Sequence, residues 1–259
     1  MRGLLVLIVA AVVLGGCAAP ESKLDADRIL RMAGEEAGVI AAPKDKLTRQ
    51  LNIANRQADT GKPTEARATL ALARKTLETA DKDAFHNQQR LAGWISISEL
   101  SRKVEDKAFA NSALDEAIRS LNELKPPQAR CEYVLGVEHE LKELRGEKEA
   151  AKLLATAGDW ATALIEPSTR RAAYLDFAQQ LFECNDYDGA RTLLRKDEDA
   201  AWRSDSLMAI SDRARYSQGR SWWEALSPPV VGYAASAEPN KSQSFSKRLD
   251  FESNFKQQQ

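Results

Sequence analysis

The sequence predicts an all-α protein: a solenoid of helix-turn-helix repeats followed by a disordered C-terminal tail. Three observations carry that expectation. Arg90, Arg130 and Arg170 stand forty residues apart, and the residues after each arginine recur in kind. Large apolar residues stand at four (Trp94, Val134, Tyr174) and at seven (Ile97, Val137, Phe177), which is one face of a helix. Alanine at twenty (Ala110, Ala150, Ala190) and leucine at twenty-four (Leu114, Leu154, Leu194) mark a second helix, and the polar junctions RKVEDK, LRGEKE and ECNDYDG separate the two.

In chain order, residues 24–40 place Ala26, Ile29, Leu30, Ala33 and Ala37 at helical spacing, as expected of a helix that caps the N-terminal end. A degenerate first unit comes after it, with Ile53 and Ala54 on its first helix, DTGKPTEA as the turn and Ala66, Leu70 and Ala73 on its second. The three regular units come next, and Arg203 with Leu207 and Ile210 reads as a closing first helix. Pro43, Pro126 and Pro167 stand where new helices should begin, because a first-turn proline loses no helical hydrogen bond. Repetition has a physical reason: one helical pair cannot bury its apolar face alone, whereas stacked pairs share a continuous core. The helical repeat domain is expected over 24–220 and the disordered tail over 221–259.

This pattern resembles the tetratricopeptide repeat family over roughly residues 44 to 215. The matching positions are the large residue at four, the apolar one at seven, the alanine at twenty and the small residue at eight (Ala54, Ser98, Ala178), where Glu138 departs. The family's period is about thirty-four, so forty is also a departure, and α-solenoid families with longer helices fit equally well. The resemblance implies a concave surface lined by first-helix positions nine and twelve. Here these are Glu99, His139, Gln179 and Asp212, and Arg102, Lys142, Phe182 and Arg215. Such a lining suits a polypeptide segment, and a merely solvated helix face has the same composition. The arginine ladder likewise has two readings: a basic row for a carboxylate-bearing peptide or glycan, or ties to acids and helix C-termini of adjoining repeats.

The N-terminus speaks to location. After Arg2, the apolar run Leu4 to Leu14 is eleven residues long, and spanning a bilayer takes roughly 20. A basic start, a short apolar run and small residues are the parts of a secretory signal peptide. Leu14-Gly15-Gly16-Cys17 resembles the lipobox of bacterial lipoproteins, which implies a signal peptide over 1–16, lipid on Cys17, and a short linker over 17–23. The alternative is a conventional signal peptide in which Cys17 is incidental. Multiple acyl chains on one cysteine hold a protein stably at a membrane. Ala18, where inner-membrane retention calls for aspartate, implies the outer membrane, facing the periplasm.

Composition narrows the chemistry. With 43% hydrophobic and 29% charged residues, the body has the balance of a charged-surface helical protein, and a net charge of -1 gives no electrostatic reason to expect nucleic acid. Of three cysteines, Cys131 and Cys184 remain beyond the anchor. They fall at opposite ends of neighbouring, similarly directed helices, about 20 Å apart; a disulfide needs Cα atoms within about 7 Å, so none is expected. The histidines, His86 and His139, form no metal-binding spacing, and no nucleophile elbow or phosphate-cradling loop occurs, so no catalytic residue, metal or cofactor is expected.

Two functions are consistent with these features. The first is a lipid-anchored scaffold or adaptor that binds another envelope protein through its repeat surface. The second is an envelope hydrolase or hydrolase activator whose groups converge from different repeats, for which the mark is a deep polar pocket holding His139 beside a carboxylate. Trp222 and Trp223 interrupt an otherwise polar tail. They either fold over the exposed last repeat or bind a partner jointly with the first-helix positions.

Overall fold

The computed structural model describes residues 26–217. Among them every regular element is a helix, and the helices pair and stack as repeats. The expected signal peptide over 1–16, Cys17 with the expected linker, and the expected tail with Trp222 and Trp223 lie outside the described residues.

A single helix, α1 (Ala26–Val39), precedes four helical pairs. These are α2 (Pro43–Asp59) with α3 (Pro63–Thr79), α4 (Asn87–Lys103) with α5 (Lys107–Glu123), α6 (Pro127–Arg145) with α7 (Glu147–Thr162), and α8 (Pro167–Glu183) with α9 (Tyr187–Leu194). A final first helix, α10 (Ala200–Ser217), completes the order. Within each pair the two helices pack along their length, the second helices α3, α5 and α7 also pack on the next first helix, and α2, α4 and α6 touch in succession. Proline opens α2 and α8 as expected, whereas α6 begins at Pro127 with Pro126 just before it.

The reversal inside each pair is a local device. In three pairs the first helix ends on a residue in the left-handed region: Gly61 at φ 74°, Glu105 at 59° and Asn185 at 58°. Around Glu105, the Glu105 N–H donates to the Arg102 carbonyl at 3.0 Å and the Asp106 N–H to that of Ser101 at 2.9 Å; Asn185 and Asp186 repeat the pattern. These bonds satisfy the helix-end carbonyls that otherwise lack partners. Asp106 and Asp186 then cap the second helices, accepting from the Phe109 N–H at 3.1 Å and the Gly189 N–H at 2.9 Å. The α6–α7 junction is tighter, with Gly146 alone between the helices at φ 91°.

The core runs unbroken through the stack. Trp94, Val134 and Tyr174 at position four and Ile97, Val137 and Phe177 at position seven are all buried, and Ala66, Ala110, Ala150 and Ala190 at position twenty are fully so. Alanine there lets two helix backbones approach closely. The N-terminal cap falls short of its expected face: Ala37 is buried and Leu30 half-buried, but Ile29 and Ala33 are exposed. As a lone helix, α1 packs chiefly on α2 among the described residues, so one edge of it is covered.

Ala110→Leu and Ala150→Leu each insert three carbons into a closed helix contact and should cost about 1–3 kcal/mol. Thermal melts followed by circular dichroism read this directly, and two unchanged melting temperatures would contradict the packing at position twenty.

Candidate functional site

The expected binding positions lie along the row of first helices, and the structure divides them into two groups. Glu99 on α4 and His139 on α6 are exposed. Phe182 on α8 is half-buried and meets Tyr187 of α9 edge-on, with ring centroids 5.3 Å apart. Arg102, Lys142 and Gln179 instead reach across to the next first helix. Arg102 donates from Nη2 to Glu140 Oε1 at 3.0 Å and from Nε to Oε2 at 3.4 Å, and pairs more loosely with Glu143 at 3.5 Å. Lys142 Nζ donates to the Glu183 carbonyl on α8 at 3.3 Å. Gln179 accepts from Arg213 of α10. One step earlier, Lys103 joins Asn55 and Asp59 of α2 at 2.9 and 2.5 Å. The row is therefore laced together by its own polar side chains, one tie at each step from α2 to α10.

Two buried carboxyls, unforeseen as a pair, sit beneath this lacing. Glu140 is 1% exposed on its side chain and receives Ser98 Oγ at 3.2 Å in addition to Arg102, which fixes α4 against α6. Burying one charge is tolerable here because the guanidinium fork meets it with two bonds. Glu138, the departure at the small position eight, is 2% exposed and accepts from the Cys184 thiol at 3.7 Å, across α6 and the end of α8. Burial raises its carboxyl to about 7, against the pull of Lys142 and of the thiol bond, with Glu183 adding to the rise. Burial also lifts the Cys184 thiol to about 11. Cys131 and Cys184 are both free. The sequence marked Glu138 only as an irregularity; Glu140 had no marker, because its partner lies 38 residues away on another helix.

The arginine ladder resolves into helix-end ties. Arg130 Nε donates to the Leu124 carbonyl at 2.8 Å, Arg170 to Leu164 at 3.1 Å, Arg203 to Asp197 at 2.7 Å, and Arg90 to Leu77 at 3.1 Å. Each therefore reaches carbonyls at or just beyond the end of the preceding second helix, where the helix dipole also favours a cation. At the last junction Arg171 adds a two-bond pair to Asp197, at 2.8 and 3.0 Å, and holds that carboxyl below the usual range. Asp199 begins α10 by accepting from the Ala201 and Trp202 amides.

An open groove of about 470 Å³ lies beside Ile40, Pro43, Lys46, Thr76, Thr79 and Asp81, and it is lined by none of the expected residues. His139 stands exposed on α6. His86 precedes α4 at its N-cap position. Among the described residues no group of three His, Cys, Asp or Glu side chains is placed to hold a metal ion, and no helix is long and apolar enough to cross a membrane.

No family model matches the chain, and no curated protein matches it either. A solved structure, Ton1535 from Thermococcus onnurineus NA1, superimposes with a TM-score of 0.47 at 13% identity. The match covers 72% of this chain and 51% of that one, so the chain spans about half the length of that protein.

Two substitutions test the buried carboxyls. Arg102→Ala strands Glu140 and should cost about 3 kcal/mol, the low end for a broken buried pair because Arg102 is itself part-exposed; Arg102→Met with Glu140→Leu should recover most of the loss in chemical denaturation. For Glu138, the unfolded chain releases its proton from about pH 4.5 while the folded chain keeps it until about 7. The group therefore lowers stability as pH rises through that window. Glu138→Gln should remove this, gaining about 1–3 kcal/mol over the wild type between pH 5 and pH 8. Melting curves that shift in parallel across that range would contradict it.

Proposed function

We propose that this protein is a lipid-anchored scaffold of a bacterial cell envelope, which binds another envelope protein along its row of first helices. The observation that carries the reading is the division of that row. Arg102, Lys142 and Gln179 are committed to holding neighbouring units together, while Glu99 and His139 remain exposed and Phe182 half-buried beside them on the same row. An extended, internally braced surface with uncommitted polar groups and an aromatic edge suits recognition of a polypeptide segment with little reorganisation on binding.

The anchor half of the proposal rests on Leu14-Gly15-Gly16-Cys17. Acyl chains on Cys17 would hold the N-terminal units close to a membrane, since only eight residues separate it from α1. Ala18 favours the periplasmic face of an outer membrane. The hydrolase alternative gains no support from the surroundings of His139.

One experiment addresses both halves. The full chain, tagged, is crosslinked in cells in three forms: wild type, Cys17→Ala, and Glu99→Lys with His139→Glu and Asp212→Lys, all at exposed positions that leave the inter-unit ties intact. Expected are incorporation of a palmitate analogue in the wild type and its loss in Cys17→Ala, together with a discrete crosslinked envelope protein that the triple variant loses at unchanged melting temperature. Equal label in both removes the anchor, and an unchanged crosslink in the triple variant removes the binding face.

A further inference from the structure

Helix α1 occupies the place of a second helix. Lys46, in the first turn of α2, donates from Nζ to the Gly38 carbonyl near the end of α1 at 2.8 Å, the tie that Arg130 and Arg170 make to the units before them. Counted back from Lys46, Arg130 and Arg170, the residues Leu30, Ala33 and Ala37 of α1 stand in register with Leu114, Ala117 and Leu121 of α5 and with Leu154, Ala157 and Ala161 of α7. All of these counterparts are fully buried. In α1 only Ala37 is buried; Leu30 is half-buried, Ala33 is exposed, and Ile29, in register with the buried Ala113, is 48% exposed. Helices α5 and α7 are packed by the first helix of their own unit and by the next one, whereas α1 packs chiefly on α2, the next one, among the described residues. The open flank is therefore the seat of a first helix.

That seat has a polarity. A three-residue connector joins α1 to α2, so the last turns of the two helices lie at its opposite ends. At one end Glu36 of α1 is exposed, in register with Trp160 of α7, which lies under the guanidinium of Arg130, in the first turn of its own first helix, at 5.5 Å. At the other end Arg56 of α2 is exposed. It follows Lys46 as Glu140 follows Arg130 and Arg213 follows Arg203, and those two residues meet Arg102 and Gln179 of the preceding first helix. Neither the Glu36 carboxylate nor the Arg56 guanidinium has a hydrogen bond or ion pair among the described residues.

We propose that this end of the stack receives an amphipathic helix of a partner protein in the place of a first helix, its apolar stripe on Ile29 and Ala33, a basic residue of its first turn on Glu36 and an acid near its C-terminus on Arg56. Alanine at 33, as at 117 and 157, leaves room for a helix backbone to approach, which a lipid surface does not require. Opposite charges at the two ends admit a helix in one direction and repel it in the other, and the apolar stripe supplies the contact area. The proposal uses none of the exposed residues on the row of first helices and stands independently of the scaffold reading.

The probe is a synthetic peptide of residues 87–103, the α4 sequence, which carries Arg90 for Glu36 and Glu99 for Arg56; a second form with Arg102→Glu removes the cation that would also face Arg56. Binding to the full chain is measured by calorimetry, and hydrogen–deuterium exchange locates it. Expected are an equimolar complex and α1 amides that exchange about tenfold or more slowly at saturating peptide. The Arg102→Glu form should bind about tenfold more tightly than the unaltered one, and Arg56→Glu in the chain should reverse that preference. Ile29→Asp with Ala33→Asp, at exposed positions, should weaken binding by about tenfold at unchanged melting temperature. Equal affinity for the two peptides, a preference that Arg56→Glu leaves unchanged, or protection that spares α1 overturns the proposal. So does α1 protection in the chain alone that equals that of the complex, which would mean that other residues of the chain fill the seat. Protection that falls on dilution of a dimer would assign the seat to a second copy, and protection by phosphatidylglycerol vesicles but not by peptide would assign it to a membrane; each overturns it.

Discussion

The stack is organised by one recurring bond: the cation that opens a first helix donates to carbonyls at the end of the second helix before it. A helix that ends inside a protein presents carbonyls with no partner, and the short connectors between units cannot fold back over them. Arg130, Arg170 and Arg203 meet that need from the next unit, each reaching back six residues to Leu124, Leu164 and Asp197. Because side chain and carbonyl must remain within hydrogen-bonding reach, the span from carbonyl to arginine is the same at these three joints, whereas Arg90 reaches back across a longer connector to Leu77. The rings near these guanidinium groups, Trp160 at 5.5 Å from Arg130 and Phe85 at 6.0 Å from Arg90, restrict them further.

That bond explains why the fold was legible in the sequence and the site only partly so. Contacts that recur at a fixed interval leave a periodic trace, so the helix pairs, the buried alanines and the closing helix at Arg203 could all be read from spacing. The arginine ladder was visible for the same reason, although its partners are main-chain atoms that every residue carries, and spacing alone could not separate a helix-end tie from a ligand-binding row. Side-chain partners chosen once leave no such trace. Arg102 with Glu140, Lys142 with Glu183 and Arg213 with Gln179 join different residue types at successive steps, so position twelve read as a lining when much of it is bracing. The cap helix α1 shows the opposite error. Its apolar stripe is real in spacing, yet among the described residues α1 packs chiefly against α2, and Ile29 and Ala33 are exposed.

The joint between the third and fourth units is the exception within the array. Elsewhere position eight holds Ala54, Ser98 or Ala178, small enough for adjacent first helices to meet; here a glutamate fills it and is answered by a thiol. A carboxyl raised by burial to about 7 at this place exchanges close helix contact for a polar one, and Lys142 reaches over it to the Glu183 carbonyl. The bracing therefore differs along the row: a charged two-bond pair over Ser98 between α4 and α6, and a carboxyl–thiol contact under a single ammonium between α6 and α8.

The position of that joint bears on binding. His139 immediately follows Glu138 and immediately precedes Glu140, so the one exposed imidazole of the row projects between its two buried carboxyls. A helix whose inner side is fixed through both of its neighbours has little freedom to rotate, and the outward direction of His139 is set by Arg102 on one side and Cys184 on the other. Surface groups held in this way lose less conformational entropy on contact than the same groups on a loop. In this stack, bracing residues and exposed residues thus occupy alternating positions of the same helix.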